Sequence, residues 1–218
     1  GLTGNWFISG LWHSLFIILT VFVVARGVEH GLEKAVRILM PALVFLLFIL
    51  LGYSMIEGNF SEALIFLFAP KFSDLSSEGI LSALGHAFFT LSIGMGAVMA
   101  YGAYLSSEAS IIKTSIAVVM MDTAIAILAG LVIFPIVFVH GLDPAEGPGL
   151  IFQTIPIAFG QLPGGRIIAT VFFLLLTFTA WTSGIALMES PVAWLMETTG
   201  LERRKTAIFV GIAIWMLG

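Results

Sequence analysis

The chain has 218 residues, 59% of them hydrophobic and only 10% charged, against roughly 45–50% and about 25% in an ordinary soluble domain. That balance excludes a water-soluble globular protein. A net charge of −4 from 9 basic and 13 acidic residues argues against a nucleic-acid partner, and the absence of cysteine removes disulfides, thiolate nucleophiles and cysteine-based metal sites.

At least four apolar runs exceed the roughly 18 residues that mark a candidate span. They are continuous, where the strands of a membrane barrel would alternate, so the expected class is an all-α, polytopic membrane protein embedded in a lipid bilayer along its whole length. The first stretch runs from about Trp6 to Ala25 and the second from about Val36 to Tyr53, with the charged turn "RGVEHGLEK" between them. A third, Leu81 to about Leu105, is interrupted near 94–96, and a fourth covers about Ile111 to Val139. The segment "HGLDPAEGPGLIFQTIPIAFGQLPGG" reads as a folded loop holding a short amphipathic piece. A long stretch, about Arg166 to Met196, and a truncated one, 203–218, complete the pattern, which reads as one transmembrane domain, 1–218, without soluble domain or linker. The start "GLTGNWFISGLWHSLF" has neither initiator Met nor the features of a signal peptide, and "FVGIAIWMLG" is about half a span. The expectation is a fragment of a longer protein.

Orientation follows from Lys and Arg counted by loop. Loops one, three and five carry Arg26, Lys34, Arg37, Lys113, Arg203, Arg204 and Lys205, against Lys71 and Arg166 in loops two and four. The odd loops are therefore expected in the cytoplasm, provided the third stretch crosses once despite its interruption.

In that interruption Gly94 and Gly96 flank Met95, and each glycine costs roughly 1 kcal/mol in a helix interior relative to Ala. Two readings stand: close helix packing through small residues, or an unwound segment that exposes backbone to a ligand, tolerated at bilayer depth where it lines a cavity. The second divides the stretch into half-helices of about Leu81–Ile93 and Ala97–Leu105, with Thr90 and Ser92 adding hydroxyls. Carbonyls at the end of the first half suit a cation, and amides at the start of the second suit an anionic group. Asp122 sits in "SIAVVMMDTAIAILAGLVIF" with no other ionisable side chain between Lys113 and His140. An acid there costs about 2.5–3.5 kcal/mol on insertion, which points to a cation- or proton-binding carboxylate, or else to an Asp bonded to a neighbouring hydroxyl. Thr179, Thr182 and Ser183 share one helix face by their i, i+3, i+4 spacing. Taken alone, they satisfy themselves on carbonyls one turn back. A hard oxygen set of Asp122 with Thr hydroxyls and carbonyls favours Na⁺ or another hard ion over transition metals. His86, on the same face as Thr90, is either a packing residue or a proton partner. Ser183 lacks a G-x-S-x-G setting, so an intramembrane hydrolase using Ser183 with His86 has little support.

Order and spacing carry a resemblance. "GHAFFTLSIGMGAVMAYGAYL", Asp122 thirty-two residues after Thr90, and "TFTAWTSGIALMESPVAWLME" resemble the neurotransmitter:sodium symporter family, in particular its bacterial amino-acid transporters. "RGVEHGLEKAVRILMPALV" and "PGLIFQTIPIAFGQLPGG" extend the likeness over essentially the whole chain. The resemblance implies a partial inverted-repeat transporter fold of the bacterial leucine-transporter type: helices 4 to 8 and part of 9, with helix 6 broken and helices 1–3 and 10–12 absent. It implies sodium-coupled symport of a neutral amino acid by alternating access in the bacterial inner membrane, with no enzymatic activity. It matches Thr90 and Asp122 to ligands of one Na⁺, and Thr179 (through its carbonyl), Thr182 and Ser183 to ligands of a second. Phe89, Thr90, Ser92, Met95, Ser183 and Leu187 match the amino-acid site, and Tyr104 and Glu197 match parts of a cytoplasmic gate. Asp122 stands where many members have Asn. His86 and Ala126 depart from chloride-dependent members and argue against a chloride requirement. Met95 and Gly184 leave space for a hydrophobic or aromatic substrate. The alternative is an ion channel or pore subunit, which also uses a glycine-broken helix and a buried acid.

Overall fold

Long runs of Leu, Ile, Val and Phe leave their backbone N–H and C=O groups unsatisfied in lipid unless they coil, and each such run among the described residues is helical. A computed structural model describes residues 5–218 apart from 70, 71, 73, 74, 107, 143 and 145–148, and the side chains of 29, 153 and 154. Lys71 of the orientation count, and 143 and 145–148 of the expected outer loop, lie outside the described residues. In chain order the α-helices are α1 (Trp6–Ala25), α2 (Lys34–Glu57), α3 (Phe60–Phe68), α4 (Ser77–Thr90), α5 (Ala97–Gly102), α6 (Ile111–Val139), α7 (Ile155–Gln161), α8 (Gly165–Thr199) and α9 (Arg203–Leu217). A 3₁₀ turn, Ile93–Met95, precedes α5, and wide π-type turns occupy Val28–Glu33 and Leu150–Thr154. Among the described residues, α1, His30–Glu57, α6 and α8 are long and apolar enough to cross a membrane. At about 1.5 Å per residue, the 35 residues of α8 extend roughly 50 Å, well past a hydrocarbon core of about 30 Å.

Local signals explain the ends. The Asn5 side chain accepts hydrogen bonds from the Phe7 and Ile8 amides and starts α1. Ser76 caps α4 through the Gly79 amide at 3.0 Å, with Glu78 in the first turn. Hence α4 begins four residues before the expected Leu81. Gly200, at φ 68°, ends α8 by returning its amide to the Met196 carbonyl at 2.9 Å. Helix α3 lies where sequence reading expected only a loop. Asn59 accepts from the Glu62 amide and donates to the Glu62 carboxylate at 2.7 Å, a reciprocal cap that nucleates a nine-residue helix.

The chain divides into two compact units. The second, Ala42–Leu91 with Ser107–Leu176, is centred on α6. Its core gathers Leu50, Ile136, Ile155, Phe159 and Phe172, and Phe66 of α3 packs edge-on against Phe134 and Phe138. The buried Ser54 hydroxyl donates to the Val132 carbonyl at 2.8 Å, and the Asn59 amide to the Pro135 carbonyl at 2.9 Å. In the first unit, Gly1–Pro41 with Ser92–Ser106 and Thr177–Gly218, Val24, Leu32, Ile185, Val192 and Ala207 form the core.

Helix α9 packs on α1 where Gly211 meets Val21. A Cβ at Gly211 would overlap Val21 Cγ2 and lie 3.3 Å from Met188 Cε. Gly211→Ala should therefore destabilise the full-length protein by about 1–3 kcal/mol, the usual cost of overpacking, measured as a fall in thermal stability in detergent. Gly184 has a similar role, which corrects the expectation that it leaves room for substrate. A Cβ there would lie 3.0 Å from Phe16 Cζ and 3.1 Å from Cε1, so the ring of Phe16 already occupies that side.

Candidate functional site

The third apolar stretch is broken, as expected, but not quite where its glycines stand. Helix α4 stops at Thr90, and Ser92 takes a left-handed conformation at φ 54° and ψ 30°. It is the only non-glycine with positive φ among the described residues. Holding an L-residue there costs on the order of 1–2 kcal/mol, and such strain is concentrated at functional positions. The chain then makes the 3₁₀ turn, and Gly96, at φ 74°, reverses into α5. Gly94 takes no positive φ. The α-helical ladder ends with the Leu91 amide on the Ala87 carbonyl at 3.1 Å and resumes with Ala100 on Gly96 at 3.0 Å. Ser92 thus lies inside the gap rather than before it, and Met95, in the 3₁₀ turn, is 41% exposed.

On α8, in the same unit, Thr179, Thr182 and Ser183 are arranged as their spacing requires. The Thr182 hydroxyl donates to the Thr179 carbonyl at 2.9 Å, so two of the three matched oxygens are already adjacent, and the acceptor lone pairs of the hydroxyl face outward from that bond. Ser183 and Leu187 are exposed in this chain.

In the second unit, Phe89 and Thr90 close α4. Phe89 is 70% exposed, and the Thr90 hydroxyl donates weakly to the Ala87 carbonyl at 3.3 Å. Asp122 is half-buried in α6, whose only other charged residue is Lys113. Among the described residues no cluster of three or more His, Asp or Glu exists.

Sequence reading assigned Glu189 no role and Arg203 only a loop charge, yet they form a buried polar centre in the first unit. The Glu189 side chain is wholly buried and paired with Arg203, itself 18% exposed. The Tyr104 hydroxyl donates to Glu189 Oε1 at 2.8 Å, and Arg203 Nε donates to the Val24 carbonyl at 2.9 Å. One carboxylate thereby ties α8 to α9, to the segment after α5 and, through Arg203, to the end of α1. The clue in the sequence was the one used for Asp122, an acid inside an apolar run that needs a partner. Glu197, matched with Tyr104 to the gate, is exposed instead. It shares with Tyr104, Ser190 and Met99 the lining of a cleft of about 720 Å³.

Known proteins bear on this arrangement. The profile described as "Sodium:neurotransmitter symporter family" matches residues 6–218. An uncharacterised sodium-dependent transporter, YhdH of Bacillus subtilis (strain 168), is 40% identical over 205 residues, covering 94% of this chain and 45% of that protein. A sodium-dependent transporter of Haemophilus influenzae is 35% identical with the same coverage. Among solved structures, MhsT in complex with L-phenylalanine matches with a TM-score of 0.85 and 43% identity, over 96% of this chain and 48% of that one. The chain spans about half the length of these relatives. With a broken helix between two long apolar ones and the family's profile matched from Trp6 onward, the chain belongs to the sodium:neurotransmitter symporter family.

Proposed function

We propose that this chain is part of a sodium-coupled symporter of the cell membrane that carries a neutral, hydrophobic or aromatic amino acid by alternating access. The observation that carries the reading is the break at Ser92–Gly96, where two left-handed residues hold the backbone out of helical register in a chain 43% identical to MhsT, whose structure was solved with L-phenylalanine. An unwound backbone offers amides to a carboxylate and carbonyls to an ammonium group, without any charged side chain. Ser92, Met95, Ser183 and Leu187 take the substrate role in the first unit, and Phe89 and Thr90 take it in the second. Thr90 and Asp122 supply oxygens to one Na⁺. The Thr179 carbonyl with the Thr182 and Ser183 hydroxyls supply them to another, through lone pairs that the bond between the two threonines leaves free. Tyr104 and Glu197 act at the cytoplasmic gate.

Two ions suffice energetically. A tenfold Na⁺ gradient contributes about 1.4 kcal/mol per ion, and a potential of about 100 mV adds about 2.3 kcal/mol per charge. Together two ions supply roughly 7 kcal/mol, on the order of a 10⁵-fold ceiling on accumulation of a neutral solute.

The test is uptake by the full-length protein in proteoliposomes against a panel of amino acids. Saturable uptake requiring both Na⁺ and a hydrophobic or aromatic amino acid is expected. A Na⁺ current without substrate would show a channel instead. Because Asp122 already places a negative charge beside its proposed ion, and Ala126 offers no chloride-binding hydroxyl, replacing chloride by gluconate should leave uptake unchanged. Strict chloride dependence would overturn that assignment.

A further inference from the structure

Helix α8 carries its proposed ion ligands on one side and its packing residues on the other. At about 100° per residue, Thr179, Thr182 and Ser183 share one face, while Trp181, Gly184, Ile185, Met188 and Val192 fall roughly opposite it. The second set is the buried one. Ile185, Met188 and Val192 belong to the core of the first unit, and Trp181 packs against it.

At Gly184 that packing leaves no slack. A Cβ there would lie 3.0 Å from Phe16 Cζ and 3.1 Å from Cε1, so the tip of the Phe16 ring rests on the α8 backbone. Thr20, one turn farther along α1 and 2% exposed, lies beside the ring. Its hydroxyl is 3.8 Å from the same point and is committed to the Phe16 carbonyl at 2.8 Å. One turn along α8, Met188 Cε lies 3.3 Å from the position a Cβ would take at Gly211. The back of α8 is thus seated at two successive turns, by Phe16 of α1 and by Gly211 of α9.

We infer that Phe16 is a positioning residue for the second of the proposed sodium sites, an inference that rests on the ion role proposed for Thr179, Thr182 and Ser183. The Phe16 ring, seated on Gly184, fixes how far the Thr179 carbonyl and the Thr182 and Ser183 hydroxyls stand toward the ion. Thr182 and Ser183 immediately precede Gly184, so a displacement of the backbone at Gly184 carries both hydroxyls with it. Making room for a methyl group at 184 takes a few tenths of an ångström, and the helix can yield only toward the ion face, because the ring stands on the other side. Binding sites hold their ligating groups within about 0.5 Å of the productive geometry. Phe16 therefore acts through the helix and not on the ion itself.

The experiment is equilibrium binding of radioactive Na⁺ to the full-length protein in detergent, with thermal stability measured separately in choline. Gly184→Ala should bind Na⁺ about tenfold or more weakly, the range that loss of a residue orienting a metal ligand costs. Phe16→Leu, which withdraws the ring tip and leaves the helix unseated, should weaken binding as well. In Gly184→Ala/Phe16→Leu the new methyl group occupies the vacated space, and most of the affinity should return, so that the two changes are strongly coupled. If Gly184→Ala does not fold, the comparison of Phe16→Leu with the double variant carries the same test. A packing contact with no bearing on the ion would lower the melting temperature in choline and leave Na⁺ affinity untouched in all three, which would overturn the inference. Thr182→Ala separates Phe16 from the site it is proposed to hold. Unchanged Na⁺ binding by Thr182→Ala would remove the site and the role of Phe16 together. Weaker binding by Thr182→Ala, with unchanged binding by Gly184→Ala and Phe16→Leu, would remove the role of Phe16 alone.

Discussion

Asp122→Ala in the full-length transporter should raise the Na⁺ concentration needed for half-maximal substrate binding by roughly 100-fold or more. Loss of a partner that only orients a metal ligand commonly costs 10–100-fold in affinity, and Asp122 is proposed to touch the ion itself. The same substitution should leave thermal stability unchanged or increase it, because it removes a carboxylate whose place in an apolar helix costs about 2.5–3.5 kcal/mol. This opposition separates the functional role from a structural one. An aspartate acting as helix glue would give the reverse, a lower melting temperature with Na⁺ dependence intact. Asp122→Asn keeps an oxygen and loses the charge, so its Na⁺ affinity should fall between those of the other two proteins. If Asp122 supplies the charge that chloride brings elsewhere, binding by the Asn variant should be stimulated by chloride. Equal Na⁺ dependence in all three proteins would remove Asp122 from the ion site.

Arg203→Ala should destabilise the protein by about 3–5 kcal/mol, because it strands the fully buried Glu189 without its partner. Most of that loss is the desolvation of an unpaired charge, so the double variant Glu189→Gln/Arg203→Gln, which removes both charges, should recover most of it. Tyr104→Phe, losing one hydrogen bond to the same carboxylate, should cost about 1.5–3 kcal/mol. Denaturation of the three proteins in one detergent compares them directly. Equal destabilisation by the single and double variants would show that packing of the Arg203 side chain, and not the charge of Glu189, is what matters.

Elements that announce themselves by length and continuous hydrophobicity were legible before any coordinates. Helices α1 and α6 fall on the expected residues, and the interruption of the third stretch is present. Short elements governed by a cap were not. Helix α3 depends on Asn59 and Glu62 bonding to one another, and α4 gains its first turn from Ser76. Both start on a capping side chain between two long apolar runs, in a segment too short to announce itself by length. The break was legible in kind but not in position, because glycine permits a left-handed conformation without requiring one. Gly96 adopts it and Gly94 does not, while Ser92 does, against its own preference.

The candidate site divides along the same line. Asp122 and the Thr179, Thr182 and Ser183 face were visible because a charge within an apolar run and an i, i+3, i+4 spacing are properties of the chain itself. Gly184 was misread as room for substrate, since what lies beside a glycine, here Phe16 from a helix far away in sequence, is not written in its neighbours. Sequence alone thus determined a helical membrane protein, its long spans and the existence of a broken one. Each of these depends on local solvation cost and helical period. Only the tertiary structure decided that Glu189 pairs with Arg203 and Tyr104 and that Ser92 carries the strained turn. These depend on which residues remote in the chain meet, and periodicity along one helix contains no information about its partner.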